Sequence, residues 1–471
     1  MSIESKRRRW LIPLLAALAI GAYVVSTVEV GSDPTQRRPM GNAADIEALA
    51  DRDDTNLLFI LVDTLRAERM SAYGYERETT PFLDELARSG VRFGRHIAQS
   101  SWTKSSMASL WSSLHPQHVG VTKFNHTIPS EIRMPAEILA DAGFKTVGLY
   151  RNGWVSGYFG FDQGFEKYYR PLGSMAVAQA RRLRPNAEAR STDEQVVADA
   201  IEFLRIHGHR KRWFLYLHLM DLHEYTYDAE SALFGNSISD LYDNSLRRTD
   251  WVLSTLYDYL AHANLTQNTL VVLASDHGEA FGERGFEGHA REVFPETTET
   301  PVLLSLPFRL PEPVVVERRT NNVDVWPTLL DLLGLPDQGE IDGQSRRAEV
   351  LAAANGSAEG TSDDSAEERL SISFLDESWG SIDKGELAVS IVDGPYRYVR
   401  GSNTGGRRFE MLLSTEDDQQ ADRLAAEPDV TARLREEAER QISEKPRFRS
   451  DVIELDEMQL DQLRALGYEL P

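Results

Sequence analysis

Asp63 closes an apolar run, Asn56-Leu57-Leu58-Phe59-Ile60-Leu61-Val62, and Asp276-His277-Gly278-Glu279 closes another, Thr269-Leu270-Val271-Val272-Leu273-Ala274-Ser275. A buried parallel strand delivers residues to its C-terminal end in this way. Two acids and an imidazole carried by two such strands have the donor types of a divalent-metal site. Between them in sequence stands a hydroxyl-rich stretch, Ser101-Trp102-Thr103-Lys104-Ser105-Ser106-Met107-Ala108-Ser109-Leu110. A hydroxyl beside a bound cation can act as a nucleophile. An acid at the end of one strand is commonly a helix cap or turn residue. Two such ends flanking a hydroxyl-rich turn point instead to a metal beside a nucleophile.

Strands alternating with helical patterns must position these groups, which predicts an α/β fold with a mainly parallel sheet between helices. Helical spacing is expected over Pro81 to Ala87, Thr192 to Leu204 and Leu241 to Leu260, with Thr79 and Thr80 as caps of the first. Lys145 to Tyr150 and Trp213 to Leu217 read as further strands. Leu370–Leu375, Leu387–Val392 and Tyr396–Arg400 read as a smaller antiparallel sheet, and Pro428–Ile442 as a helix with proline in its first turn. Residues 355–368 are rich in Ser, Gly and acids and read as a disordered surface loop.

The ordered motifs resemble the alkaline phosphatase superfamily, in its sulfatase-like branch. Thr80-Pro81-Phe82-Leu83-Asp84-Glu85-Leu86-Ala87 is similar to that branch's Thr-Pro-x-Leu-Asp-x-Leu-Ala helix. Thr103-Lys104-Ser105-Ser106-Met107, followed by Ala108-Ser109-Leu110, aligns with its Cys-x-Pro-Ser-Arg nucleophile motif. Pro116-Gln117-His118-Val119-Gly120-Val121 is similar to its Pro-x-x-His-Gly-Val pattern, with His118 one place early. Asp276-His277-Gly278 matches its late ligand motif, and the likeness covers residues 55–335. It implies Asp63, Asp276 and His277 as metal ligands and Thr103 as the nucleophile. It further implies that His223 points at the transferring group, that His289 contacts substrate, and that Arg151 stands near the position of a catalytic Lys. Lys104 is expected to meet substrate charge, with a water-facing role as the alternative. His218 and Asp221 are equally well read as structural, and His207 and His209 as part of a solvated basic turn. Mixed oxygen and imidazole ligands suit one Mn, Zn or Mg ion, with Ca by family analogy.

The chain departs from the branch where chemistry is decided. A sulfatase nucleophile is a formylglycine hydrate made from Cys or Ser, and this chain has no Cys. Thr103 carries a methyl on Cβ, so its oxidation would give a ketone. The motif Arg is Met107, and the second acid of the usual Asp-Asp pair is Thr64. Related phosphotransferases and phosphodiesterases use an unmodified Thr. The expected function is therefore metal-dependent hydrolysis or transfer of phosphate esters through Thr103. The substrate is a small molecule or a lipid or glycan ester, including those of the cell envelope. Sulfate ester hydrolysis, and a catalytically inactive binding protein with this fold, are the alternatives.

The formal net charge of −23 argues against nucleic acid, whose phosphates need a basic surface. It leaves anionic substrates open, because an ion can dominate a cleft. Residues 1–9 end in Lys6-Arg7-Arg8-Arg9, and Trp10 to Val28 carry no charge over 19 residues. That pattern predicts a cytoplasmic basic segment, a signal anchor over 10–28, and a catalytic domain in the periplasm or outside the cell. A cleaved signal peptide is the alternative. Residues 29–54 read as a polar linker, 55–335 as the catalytic domain, 336–369 as a loop or linker, and 370–471 as a C-terminal α+β subdomain.

Overall fold

A computed structural model describes residues 34–171, 192–356, 369–380, 387–403, 406–416 and 421–464. The expected segments 1–9 and 10–28, and all but the first two residues of the expected loop at 355–368, lie outside the described residues. Among the described residues no helix is long and apolar enough to cross a membrane.

The central sheet has eight strands: β1 (Asn56–Val62), β2 (Val91–Phe93), β3 (Lys145–Tyr150), β4 (Lys167–Tyr169), β5 (Trp213–Leu219), β6 (Thr269–Ala274), β7 (Val302–Ser305) and β8 (Val314–Val316). Their spatial order is β8-β2-β7-β6-β1-β5-β3-β4. The run β6-β1-β5-β3-β4 is parallel, as expected. β7 runs antiparallel to both β6 and β2, so the sheet is mixed at that side. Every residue of β1, β5 and β6 is buried, which is why these strands read as unbroken apolar runs.

Among the helices are α1 (Pro81–Arg88), α2 (Thr103–Ser112), α3 (Asp193–His207), α4 (Ile238–His262), α5 (Asn322–Leu332), α6 (Arg347–Ala354) and α7 (Pro428–Ser443). Alternate residues of β1 feed the two faces of the sheet. Leu57, Phe59 and Leu61 pack with Trp111 of α2 and Trp326 of α5. Leu58, Ile60 and Val62 pack with leucines and valines of α1, α3 and α4. The Phe59 and Trp326 rings stack at 5.1 Å. Thr80 starts α1 without capping it through its side chain. Asp250 of α4 accepts the Phe82 and Leu83 N–H groups instead, at 3.0 and 2.9 Å.

The C-terminal part is a meander of β9 (Ser371–Asp376), β10 (Leu387–Asp393), β11 (Tyr396–Ser402) and β12 (Arg408–Ser414). β12 extends the three expected strands. Helix α7 lays Leu434 and Ala438 on Phe374, Ile391 and Tyr398.

Two segments differ from expectation. From Pro34 the supposed tether is packed: Ile46 and Leu49 are fully buried, and Arg38 donates to Ser305 Oγ, the Leu306 carbonyl and Ser89 Oγ at 2.7–2.9 Å. The 336–369 linker contains α6, which buries Val350 in the core.

Candidate active site

Most of the candidate groups come from the C-terminal edge of the parallel strands. Asp63 follows β1, Asp276 and His277 follow β6, Asn152 follows β3, and the turn carrying His223 follows β5. Thr103 is the first residue of α2. Asp63, Thr103, Asp276 and His277 are fully buried.

His277 Nε2 lies 3.1 Å from Thr103 Oγ1, 3.3 Å from Asp276 Oδ2 and 3.9 Å from Asp63 Oδ1. Its Nδ1 is 2.9 Å from the Gly278 carbonyl. A carbonyl only accepts, so Nδ1 carries the proton and Nε2 turns a lone pair toward the acids. Asp63 Oδ1 and Asp276 Oδ2 are buried without a hydrogen-bond partner. Native folds seldom leave buried polar atoms in that state. One ligand atom from each of Asp63, Asp276 and His277 lies within 4.8 Å of the others. Three inward-facing lone pairs with no donor among them fit a divalent metal ion.

The surroundings hold this group rigid. His218 Nε2 is 3.0 Å from Asp63 Oδ2, and its Nδ1 is 2.8 Å from Tyr216 OH. Asn152 Nδ2 donates to the same Asp63 oxygen at 2.7 Å and lies 3.4 Å from Thr103 Oγ1. Asp276 Oδ1 accepts the Thr64 N–H at 3.3 Å, and Ser106 Oγ donates to the Asp276 carbonyl at 2.5 Å. Thr64 takes φ = 63°, a left-handed conformation that β-branched residues rarely adopt. Burial works to raise the Asp63 pKa, but the His218 hydrogen bond and the His223 and His277 imidazoles outweigh it and hold the carboxyl far below its usual range. Burial, and then the charge of Asp63, push Asp276 the other way.

His223 and His289 stand over this floor, with ring centroids 5.0 Å apart, and His289 stacks on His277 at 4.6 Å. Glu279 Oε1 is 3.2 Å from His289 Nδ1. Both ring nitrogens of His223 are buried without a partner, and burial lowers its pKa.

Lys104 and Arg151 depart from expectation. Lys104 is fully buried beneath the site, with Nζ donating to the Phe124 carbonyl at 2.7 Å and lying 3.4 Å above the Phe159 ring. Burial alone drives its amine well below the usual lysine range. Its amine faces the Phe124 carbonyl and the Phe159 ring rather than water. The Arg151 guanidinium is bound by Asp193 at 2.7 Å, Asp221 at 2.5 Å and Glu224 at 2.7 Å. Its charge is therefore engaged inside the protein. His118 lies beyond the far end of α2, bridging Asp342 at 2.6 Å and Glu444. Burial lowers its pKa, but the two carboxylates outweigh it and leave the pKa raised.

The C-terminal part also reaches the neighbourhood of Thr103. Trp379, just past β9, stacks on Trp102 at 4.7 Å and donates its indole N–H to the Ala290 carbonyl at 3.0 Å. Trp102 immediately precedes Thr103, and Ala290 immediately follows His289.

Comparison with known proteins agrees with this architecture. The chain is 22% identical over 332 residues to an ulvan-active sulfatase of Formosa agariphila, a match covering 61% of this chain and 63% of that one. It is 24% identical over 358 residues to the N-acetylgalactosamine-6-sulfatase of Canis lupus familiaris, covering 64% and 67%. The chain thus spans about two thirds of the length of these relatives. The crystal structure of a phosphonate monoester hydrolase of Agrobacterium radiobacter shares the fold, with a TM-score of 0.62, 19% identity, and coverage of 83% and 95%. The family model named Sulfatase matches residues 55–335, more than half of the sequence, and the chain belongs to that family.

Proposed function

We propose that the protein is a metal-dependent enzyme that transfers the phosphoryl group of a phosphate ester to Thr103, and from there to water or an acceptor alcohol. The observation carrying this reading is the convergence of Asp63 Oδ1 and Asp276 Oδ2, both without a donor, with His277 Nε2, which faces the Thr103 hydroxyl. A divalent ion held by these three residues supplies Lewis acidity, lowering the pKa of a neighbouring hydroxyl and neutralising a substrate oxygen. Their donor set suits Mn, Zn or Mg, and Ca by family analogy.

The chain's own groups supply the rest. Thr103 opens α2 with no side-chain cap on the helix start, so the leading N–H groups and the positive end of the helix dipole are available to the substrate's oxyanions. Asn152 Nδ2 sits between Asp63 and Thr103, fixing the hydroxyl against the acid it must work beside. As the Thr103 Oγ1–phosphorus bond forms and the ester P–O bond breaks, the hydroxyl proton passes to the neutral His223 imidazole and the departing alkoxide must gain one. His223, with both ring nitrogens unpartnered, is placed to deliver it. His289 stands beside His223 to bind the charge that develops.

The Thr103 side chain supports phosphate over sulfate. A phosphothreonine can be resolved by attack at phosphorus, whereas a sulfated threonine lacks the second hydroxyl through which formylglycine expels sulfate. A second reading, sulfate ester hydrolysis, has support from the names of the curated relatives. A panel of phosphate mono- and diesters and aryl sulfates decides between them. Phosphate on the Thr103 peptide in a quenched reaction, read by mass spectrometry, is the expected outcome. Turnover of sulfate esters alone, with a serine of this stretch converted to formylglycine, overturns it. We also propose that residues 10–28 anchor the enzyme with its site outside the cytoplasm. Recovery of the intact protein in the soluble fraction after an alkaline carbonate wash counts against this.

A further inference from the structure

We propose that Arg151, at the place where a family resemblance expects a substrate-binding cation, is a positioning residue that sets His223 and Asn152 in register with Thr103. Arg151 follows β3 directly and is 2% exposed. Its Nη1 is shared by Asp193, the first residue of α3, and Asp221, just past β5, while Nη2 takes Glu224. Asp193 in turn accepts the Met220 and Asp221 N–H groups, each at 2.8 Å. The guanidinium thus ties the ends of two neighbouring parallel strands to one helix start. The two residues it brackets are the ones the chemistry needs held. Asn152 is its chain neighbour, with its amide 2.7 Å from Asp63 Oδ2. His223 lies in the turn between Asp221 and Glu224, and both of its ring nitrogens lack partners, so hydrogen bonding of the ring itself does not fix its direction. The turn's backbone must do so. A planar fork with donors on two arms can hold three acids from two segments at once, whereas a lysine ammonium offers one point charge.

The proposal rests on the reading that His223 protonates the leaving group. Steady-state kinetics of Arg151→Lys and Arg151→Ala on aryl esters of graded leaving-group basicity test it. The expected result for Arg151→Lys is a kcat about 10²-fold lower with KM within about threefold, since a misplaced catalytic group loses rate rather than affinity. The loss should grow as the leaving aryloxide becomes more basic, and guanidinium in the buffer should restore part of the kcat of Arg151→Ala. A KM raised about tenfold or more at unchanged kcat would assign Arg151 to the substrate and overturn the proposal. So would an equal loss on every leaving group, which marks a merely structural role. Should Arg151→Ala fail to fold, Arg151→Lys decides. Thr103→Ala reports separately on the nucleophile. If the wild type turns over no phosphate ester, a crystal structure of Arg151→Lys still decides, because an unmoved His223 ring and Asn152 amide refute the proposal.

Discussion

Two groups of buried carboxylates sit at the same edge of one sheet, and they are solved in opposite ways. Asp193, Asp221 and Glu224 surround the Arg151 guanidinium, and each has its counter-charge within hydrogen-bonding distance. Asp63 and Asp276 meet across β1 and β6 with one oxygen each unpartnered, facing the lone pair of His277. A buried charge is expensive unless it is paired. The first cluster contains its cation as a side chain, so it is a structural element. The second presents only acceptors, a set that a divalent cation would fit. A lack of donors among well-held acceptors, rather than the count of acids, marks the candidate site.

The contrast can be broken most decisively at Asp276 and Thr103. Asp276→Asn should lose bound metal, read by elemental mass spectrometry, together with most activity. Thr103→Ala should keep metal and fold while losing on the order of 10³-fold or more in rate. Full metal occupancy in an Asp63→Ala, Asp276→Ala double variant would abolish the distinction between the clusters. Stability is the next test. Asp193→Asn should lower the unfolding free energy by roughly 1–3 kcal/mol in urea titration, because it weakens a buried ion pair and two backbone caps. Metal-free Asp276→Asn should be as stable as the metal-free parent or more so, since it removes one of two repelling buried acids. The same drop in both variants would mean that the two clusters are alike. Chelating the wild type should lower its Tm, an effect Asp276→Asn should lack.

The smallest effect expected is at His118, where the cation between two acids is itself titratable. Its folded pKa is raised above the ordinary value of about 6.5, so its contribution is full below that pH and fades as pH climbs through the raised value. The Tm gap between wild type and His118→Gln should therefore be widest near pH 6 and close toward pH 9. A gap that widens with pH would reverse the assignment.

The sequence disclosed some of these groups and hid others for reasons of distance along the chain. Asp63 and Asp276 were legible because buried parallel strands leave long apolar runs that end on them, and Thr103 because its turn is rich in hydroxyls. Lys104 and Arg151 misled because a charge is read as solvent- or ligand-facing until its partners are known. Those partners lie 20 to 73 residues away. His218 stayed ambiguous, although Tyr216 and His218 alternate on one strand and so share a face. Asn152 carried no signal beyond its place after a strand. The supposed tether read as polar by composition, yet Ile46 and Leu49 stand three apart, the spacing of one helical face. The fourth strand of the C-terminal sheet, Arg408–Ser414, was missed because its first residues are half-exposed and its alternation is weak.

Trp379 bears on modularity. The family-matched stretch ends at residue 335, yet a tryptophan 44 positions later is the stacking partner of the residue before Thr103 and the hydrogen-bond donor to the residue after His289. A chain truncated after residue 335 keeps every candidate ligand and loses the indole that stacks on Trp102 and holds the Ala290 carbonyl. The C-terminal sheet is thus not an exchangeable appendage. Transplanting a different one, as in building chimaeras between relatives, should succeed only where the incoming sheet restores an aromatic donor at this point of contact.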